Sequence, residues 1–132
     1  MKKASESIQT SDTTSGKEAT KNLLTFNLPH LIQQLKEEET WKKSGRGAKT
    51  LYKANTMRIV LNVMQAGAEI KTHQAAGPIS VQVVAGRIKF LTEEETVELQ
   101  QGEMLALKEF VKHSVEALEE AAFLLTVAPL QA

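Results

Sequence analysis

From Lys49 onward the chain is written in short apolar and β-branched runs, each closed by a turn signal, and this rhythm constrains the fold more than any other feature. Lys49 to Lys53 reads as a first strand, and Asn55 as the turn that follows it. Met57 to Met64 reads as another strand. Ile59, Leu61 and Val63 share one face, and Arg58, Val60, Asn62 and Met64 share the other. Ala66-Gly67 turns the chain, and Ile70 to His73 leads into a loop, Gln74 to Pro78. Ile79 to Ala85 is nearly all apolar or β-branched, which predicts a strand buried on both faces. Gly86 permits a tight turn and Arg87 to Leu91 pairs back. Glu93, Glu94 and Glu95 form a solvated tip before Val97 to Leu99. After Gln101-Gly102 come Met104 to Leu107, then Ser114 to Ala117 and Ala121 to Val127, these last two joined through Glu119-Glu120. Eight or nine strands at this spacing predict an all-β sandwich or barrel.

The N-terminal part is written differently. Residues 1–20 are rich in Ser, Thr and Lys, with Ile8 nearly the only bulky apolar side chain. They bury too little to offset about 1–2 kcal/mol of backbone entropy per residue. The expectation is a disordered tail at 1–20 and a single domain at 21–132. Leu23, Leu24 and Phe26 predict a short strand. Asn27 stands two residues before Pro29, a helix start, and Leu31, Ile32 and Leu35 follow at helical spacing. One helix is expected from Pro29 to Lys43, ended by the glycines of Ser44-Gly45-Arg46-Gly47. Trp41 is expected to pack onto the barrel, and His30 to be a surface or capping residue. The SGRGAKT stretch at 44–50 lacks P-loop spacing and reads as a helix-to-strand connection.

Charge and composition exclude several classes of function. Lys plus Arg equals Asp plus Glu, at 16 each, so no net positive field exists to draw in nucleic acid or an anionic membrane. The absence of cysteine removes disulfides and thiolate metal sites, and fits a cytoplasmic protein. No run approaches the roughly 18 apolar residues of a membrane span. Lys2 and Lys3 are followed by no apolar stretch of the kind a signal peptide requires. Dinucleotide, nucleotide and serine-hydrolase fingerprints are absent, as is the H-E-x-x-H zinc motif.

The stretch Gly67 to Gly86 resembles the first motif of the cupins, G-x5-H-x-H-x3,4-E-x6-G. Gly67, His73 and Gly86 match it at the right spacing, while Ala75 and Ile79 stand where the second histidine and the glutamate would be. The second motif, G-x5-P-x-G-x2-H-x3-N, is matched at Gly102 and His113, with Lys108, Phe110 and Ala117 at its proline, glycine and asparagine positions. The resemblance spans roughly residues 50–127. It implies a small cupin-type β-barrel, or jelly-roll, here with one N-terminal helix.

Carried over residue by residue, the metal positions of that family become His73, Ala75, Ile79 and His113. Only His73 and His113 bring donor atoms, and a first-row metal normally needs three protein ligands. The cofactor expectation is therefore none, or a weakly bound divalent metal on His73 and His113. Those two histidines are also the expected ligand pocket. The favoured function is a small-molecule-binding protein with a degenerate metal site. The alternative is a metal-dependent enzyme of dioxygenase or isomerase type. The expected partners are a small-molecule ligand and a second copy of the chain, because the resemblance implies a homodimer, with Leu23 to Phe26 as the candidate exchanged strand. Neither nucleic acid nor membrane is expected.

Overall fold

Period-two alternation becomes strand wherever the sequence carries it. In the computed structural model, which describes residues 21–128, nine strands form: β1 Arg46–Lys53, β2 Arg58–Met64, β3 Glu69–His73, β4 Ile79–Ala85, β5 Arg87–Thr92, β6 Thr96–Gln100, β7 Met104–Leu107, β8 His113–Ala117 and β9 Ala121–Val127. They make two antiparallel sheets, ordered β1-β2-β9-β4-β7 and β3-β8-β5-β6. This is the expected all-β jelly-roll. The tail expected at 1–20 lies outside the described residues.

Each strand sends alternate side chains to opposite faces, so the chain builds two apolar clusters. The inner one lies between the sheets and includes Met64, Val81, Ile88, Phe90, Val115 and Phe123. The outer one covers the other face of the five-stranded sheet, with Leu61, Val63 and Ala122 beneath Leu31, Leu35 and Trp41. Strands β2 and β9 feed both clusters: Val63 faces out and Met64 in, Ala122 out and Phe123 in. In β4, Ile79, Val81 and Val83 face inward and Val84 and Ala85 reach the outer cluster, but Gln82 is exposed. The strand is thus not buried along its whole second face.

The N-terminal segment departs from expectation in three ways. The single helix is two, α1 Leu28–Lys36 and α2 Glu39–Ser44. Asn27 caps the first as expected, its Oδ1 accepting from the His30 N–H at 3.1 Å. The Glu37 N–H donates to Gln34 O and the Glu38 N–H to Leu35 O, closing α1, and Glu38 is extended, at φ −82° and ψ 154°. The reason lies in Trp41. Six residues beyond Leu35, a continuous helix would carry it about 240° around the axis, off the buried face. Breaking the helix lets both Leu35 and Trp41, 3% and 8% exposed, reach the same cluster.

No strand forms at Leu23–Phe26. Leu23 is 79% exposed, and Phe26 instead anchors the lead-in to α1 by packing on the outer cluster. The first strand begins at Arg46 rather than Lys49, because only Gly45 ends α2 while Gly47 is already paired with Val63. A Cβ at Gly47 would stand 3.2 Å from Val63 Cγ2 and 3.8 Å from Leu35, so the missing side chain lets α1 lie close on β1. Among the described residues no helix is long and apolar enough to cross a membrane.

Candidate functional site

The inner cluster does not fill the space between the sheets. Toward their β1–β2 and β3–β8 sides a cavity of about 370 Å³ remains, within the range of small-molecule pockets. Its walls are mostly apolar, formed by Met64, Ile79, Val81, Phe90, Val115, Phe123 and Leu125. The polar groups reaching it are few: His73, His113, Asn62 and Arg46, with Thr40 and Ser44 at its edge.

His73 is the last residue of β3 and His113 the first of β8, and the two are cross-strand partners. Partners opposite one another point to the same face. Their rings meet edge to face with centroids 4.3 Å apart and planes at 61°. His113 is buried at 4% exposure, and Phe90 stacks on it with centroids 5.2 Å apart. His73 is exposed and stands at the rim. Phe110, the other phenylalanine near the histidines in sequence, is 53% exposed and does not line the cavity.

Each imidazole is held by the carbonyl two residues before it. His73 Nδ1 lies 2.8 Å from Lys71 O and His113 Nδ1 lies 2.9 Å from Val111 O. A carbonyl oxygen only accepts, so both Nδ1 atoms carry a proton, and a ring in its neutral form then presents Nε2 as a lone pair. Burial pushes the His113 imidazole below its ordinary pKa; its bond to Val111 opposes this, and the neighbouring His73 adds to it.

That depression makes stability depend on pH. Unfolded, His113 takes up a proton near the ordinary imidazole value of about 6.5. Folded, it resists until a lower pH. Between those points the unfolded chain binds more protons, so stability is present above about pH 6.5 and falls as the solution is acidified through the folded value. Urea unfolding between pH 7.5 and 5.5 should show this loss, and His113→Gln should flatten it. An unchanged slope in the variant would remove burial of His113 as its source.

The remaining two positions of the implied metal set carry no donors. Ala75 lies in the β3–β4 loop, partly buried against the inner cluster, and Ile79 is 6% exposed within it. Among the described residues no group of three or more His, Cys, Asp or Glu side chains could hold a metal ion. A donor set of two imidazoles beside a methyl and a branched alkyl group does not fit a resident metal.

The arrangement has counterparts among solved structures. No protein-family model matches the sequence, and no curated protein does. In three dimensions it is similar to a cupin-2 domain protein from Shewanella frigidimarina, with a TM-score of 0.64, 17% identity, and coverage of 79% of this chain and 94% of that one. A cupin superfamily protein from Desulfitobacterium hafniense matches with a TM-score of 0.63 and 12% identity over 64% of this chain and 78% of that one. This chain has the cupin fold. The salicylate 1,2-dioxygenase of Pseudoaminobacter salicylatoxidans matches at TM-score 0.70 and 19% identity, with 78% of this chain covering 32% of that one. At these identities the likeness is one of fold.

One position of the second cupin motif shows how the fold tolerates a departure. Phe110 occupies its glycine position and is the only non-glycine described residue with positive φ, at 66°. The backbone keeps the glycine-like turn, held by Phe110 N–H donating to Ala75 O at 2.8 Å. The left-handed conformation costs a side-chain-bearing residue roughly 1–2 kcal/mol. Phe110→Gly should therefore stabilise the protein by up to about 1 kcal/mol, after glycine's own entropic cost of about 0.5–1 kcal/mol. A lowered melting temperature would mean that the exposed ring contributes more than its strain.

Sequence reasoning did not name Arg46, Asn62, Phe90 or Phe123 as site residues. Asn62 carried a signal, a lone amide on the strand face shared with Val60 and Met64. Arg46 carried none while its stretch read as a connection.

Proposed function

We propose that this cupin-fold protein binds a small organic molecule in the cavity between its sheets, with His73 and His113 orienting a polar group of that molecule. The observation that carries the reading is the pair of rings 4.3 Å apart, each with Nδ1 engaged and Nε2 left to meet a ligand. Two acceptors on an apolar wall suit a molecule with hydrogen-bond donors at one end.

Thermal melting tests it. A small molecule bound at a hundred times its dissociation constant adds about 2.7 kcal/mol. For a domain of this size that raises the midpoint by several degrees. A hit from a panel of small polar organics should lose its shift when Val81→Trp fills the cavity. Divalent metals should produce no comparable shift, because the donor set is incomplete. A several-degree rise with one metal, abolished by His73→Ala, would overturn the metal-free reading.

A second reading is an enzyme acting on the same molecule. The convergence of two imidazoles in an open cavity favours it, since histidine can exchange protons near neutral pH. The fold likeness to a dioxygenase is in keeping with it but specifies no chemistry here. Turnover of a bound compound, lost in His73→Gln while binding persists, would establish it. A homodimer accompanies either reading: β1 is an edge strand of its sheet among the described residues, and Leu23 is exposed. A monomer by light scattering at micromolar concentration would remove the dimer.

A further inference from the structure

The cavity carries a second polar feature beside the histidines. Arg46 pairs with Met64 across β1 and β2, and Met64 belongs to the inner cluster, so Arg46 is set on the inner face of the sheet. It lines the cavity and is exposed on its open side. Among the described residues its guanidinium has no carboxylate within ion-pair distance. Arg87, by contrast, is shared between the exposed carboxylates of Glu98 and Glu119. Among the described residues no acidic side chain lines the cavity, so none of them competes with a bound anion for Arg46.

The two polar features stand at different levels. Arg46 lies beside the β2–β3 turn, where the Gln65 N–H donates to Gly45 O at 2.8 Å. β3 leaves that turn at Glu69 and ends at His73. Five residues of strand separate those levels by roughly 13 Å. Between them the wall is apolar, with Met64, Val81 and Phe123, and Asn62 on β2 adds an amide beside Phe123, its register partner on β9. The cavity is thus cationic at one end, apolar along its length and hydrogen-bond-accepting at the other.

We infer that the ligand is a small organic acid, its carboxylate held by Arg46 and its apolar body along Phe123 and Val81, with a hydroxyl or other donor directed at the Nε2 atoms of His73 and His113. This rests on the small-molecule reading above and names its chemical class. Arginine's planar fork matches a carboxylate with two parallel hydrogen bonds, and its charge persists across the accessible pH range. Neutral imidazoles held with Nδ1 protonated accept from a hydroxyl, which an acid with a donor at its far end supplies.

The test is calorimetric titration of the full chain with hydroxylated aromatic and aliphatic acids of six to ten carbons, 4-hydroxyphenylacetate among them, each beside its neutral amide. Acids should bind at least tenfold more tightly than the matching amides. Arg46→Gln should bring acid and amide to equal affinity, and Arg46→Lys should restore part of the preference. Arg46 is an exposed strand residue without an ion pair among the described residues, so these variants should keep the wild-type circular dichroism and melting temperature. Acid and amide binding equally in the wild type, or a preference that survives Arg46→Gln, overturns the organic-acid assignment while leaving the small-molecule reading in place. Failure of every acid and every amide to bind overturns both.

Discussion

Gly86→Ala is expected to cost more than about 4 kcal/mol, a loss of the size produced only by a specific structural insult. Gly86 joins β4 to β5 at φ +74°. Any side chain there incurs the left-handed penalty of roughly 1–2 kcal/mol. The larger part is steric. A Cβ would fall 2.0 Å from the Glu120 carbonyl oxygen and 2.8 Å from the Ala121 Cα. Both are backbone atoms, so no rotamer change relieves the overlap. The turn they belong to is pinned on this corner: Leu118 and Glu119 donate to Arg87 O at 3.0 and 3.3 Å, and the Arg87 side chain binds Glu119. Gly67 is the control. Its φ is +87°, but nothing lies within 4 Å of its missing Cβ. Gly67→Ala should cost only the conformational part. Urea unfolding of the two variants separates the effects, and equal losses would show that close approach of the β8–β9 turn contributes nothing.

Trp41→Ala should cost about 3–5 kcal/mol, the range for emptying a large aromatic site. Trp41 is 8% exposed and touches the cluster made by Leu31, Leu35, Leu51, Leu61 and Val63. Its backbone carbonyl also accepts from Gly45 N–H and from Gln65 Nε2, both at 2.9 Å, so it closes α2 and ties it to the β2–β3 turn. Against a typical total stability of 5–15 kcal/mol this is a substantial fraction. The melting temperature followed by far-ultraviolet circular dichroism should fall by at least about 10 °C. Trp41→Phe should recover more than half of the loss. A change below 1 kcal/mol in the alanine variant would mean that the helical layer adds little to the sandwich.

The strands were legible because their signal is local. Alternation along Met57–Met64, followed by the turn at Gly67, marks a strand end without knowledge of its partner, and Gly86 and Gly102 mark turns in the same way. The break between α1 and α2 was not, since Glu37 and Glu38 are ordinary helix residues and the cause of the break is where Trp41 has to go. The start of β1 was hidden for a related reason: Gly47 looked like a helix breaker but serves as the point where α1 approaches the strand. Of the site, motif spacing brought His73 and His113 to notice, and the register of β3 on β8 makes them neighbours. Their tautomers depend on the carbonyls of Lys71 and Val111, which no side-chain pattern encodes. Arg46 reaches the cavity only through its pairing with Met64, a long-range fact.

The two-cluster architecture has a consequence for how unfolding is observed. Trp41 is the single tryptophan, and it belongs wholly to the outer cluster. The one tyrosine, Tyr52, is 40% exposed. Intrinsic fluorescence therefore watches the helical layer settle on the sheet and is blind to the space between the sheets. Strands β2 and β9 supply both clusters, which couples them mechanically and makes coincident fluorescence and circular dichroism transitions the expected result. An earlier fluorescence transition would report the helices lifting from a sandwich that stays closed, two parts of one chain melting in sequence.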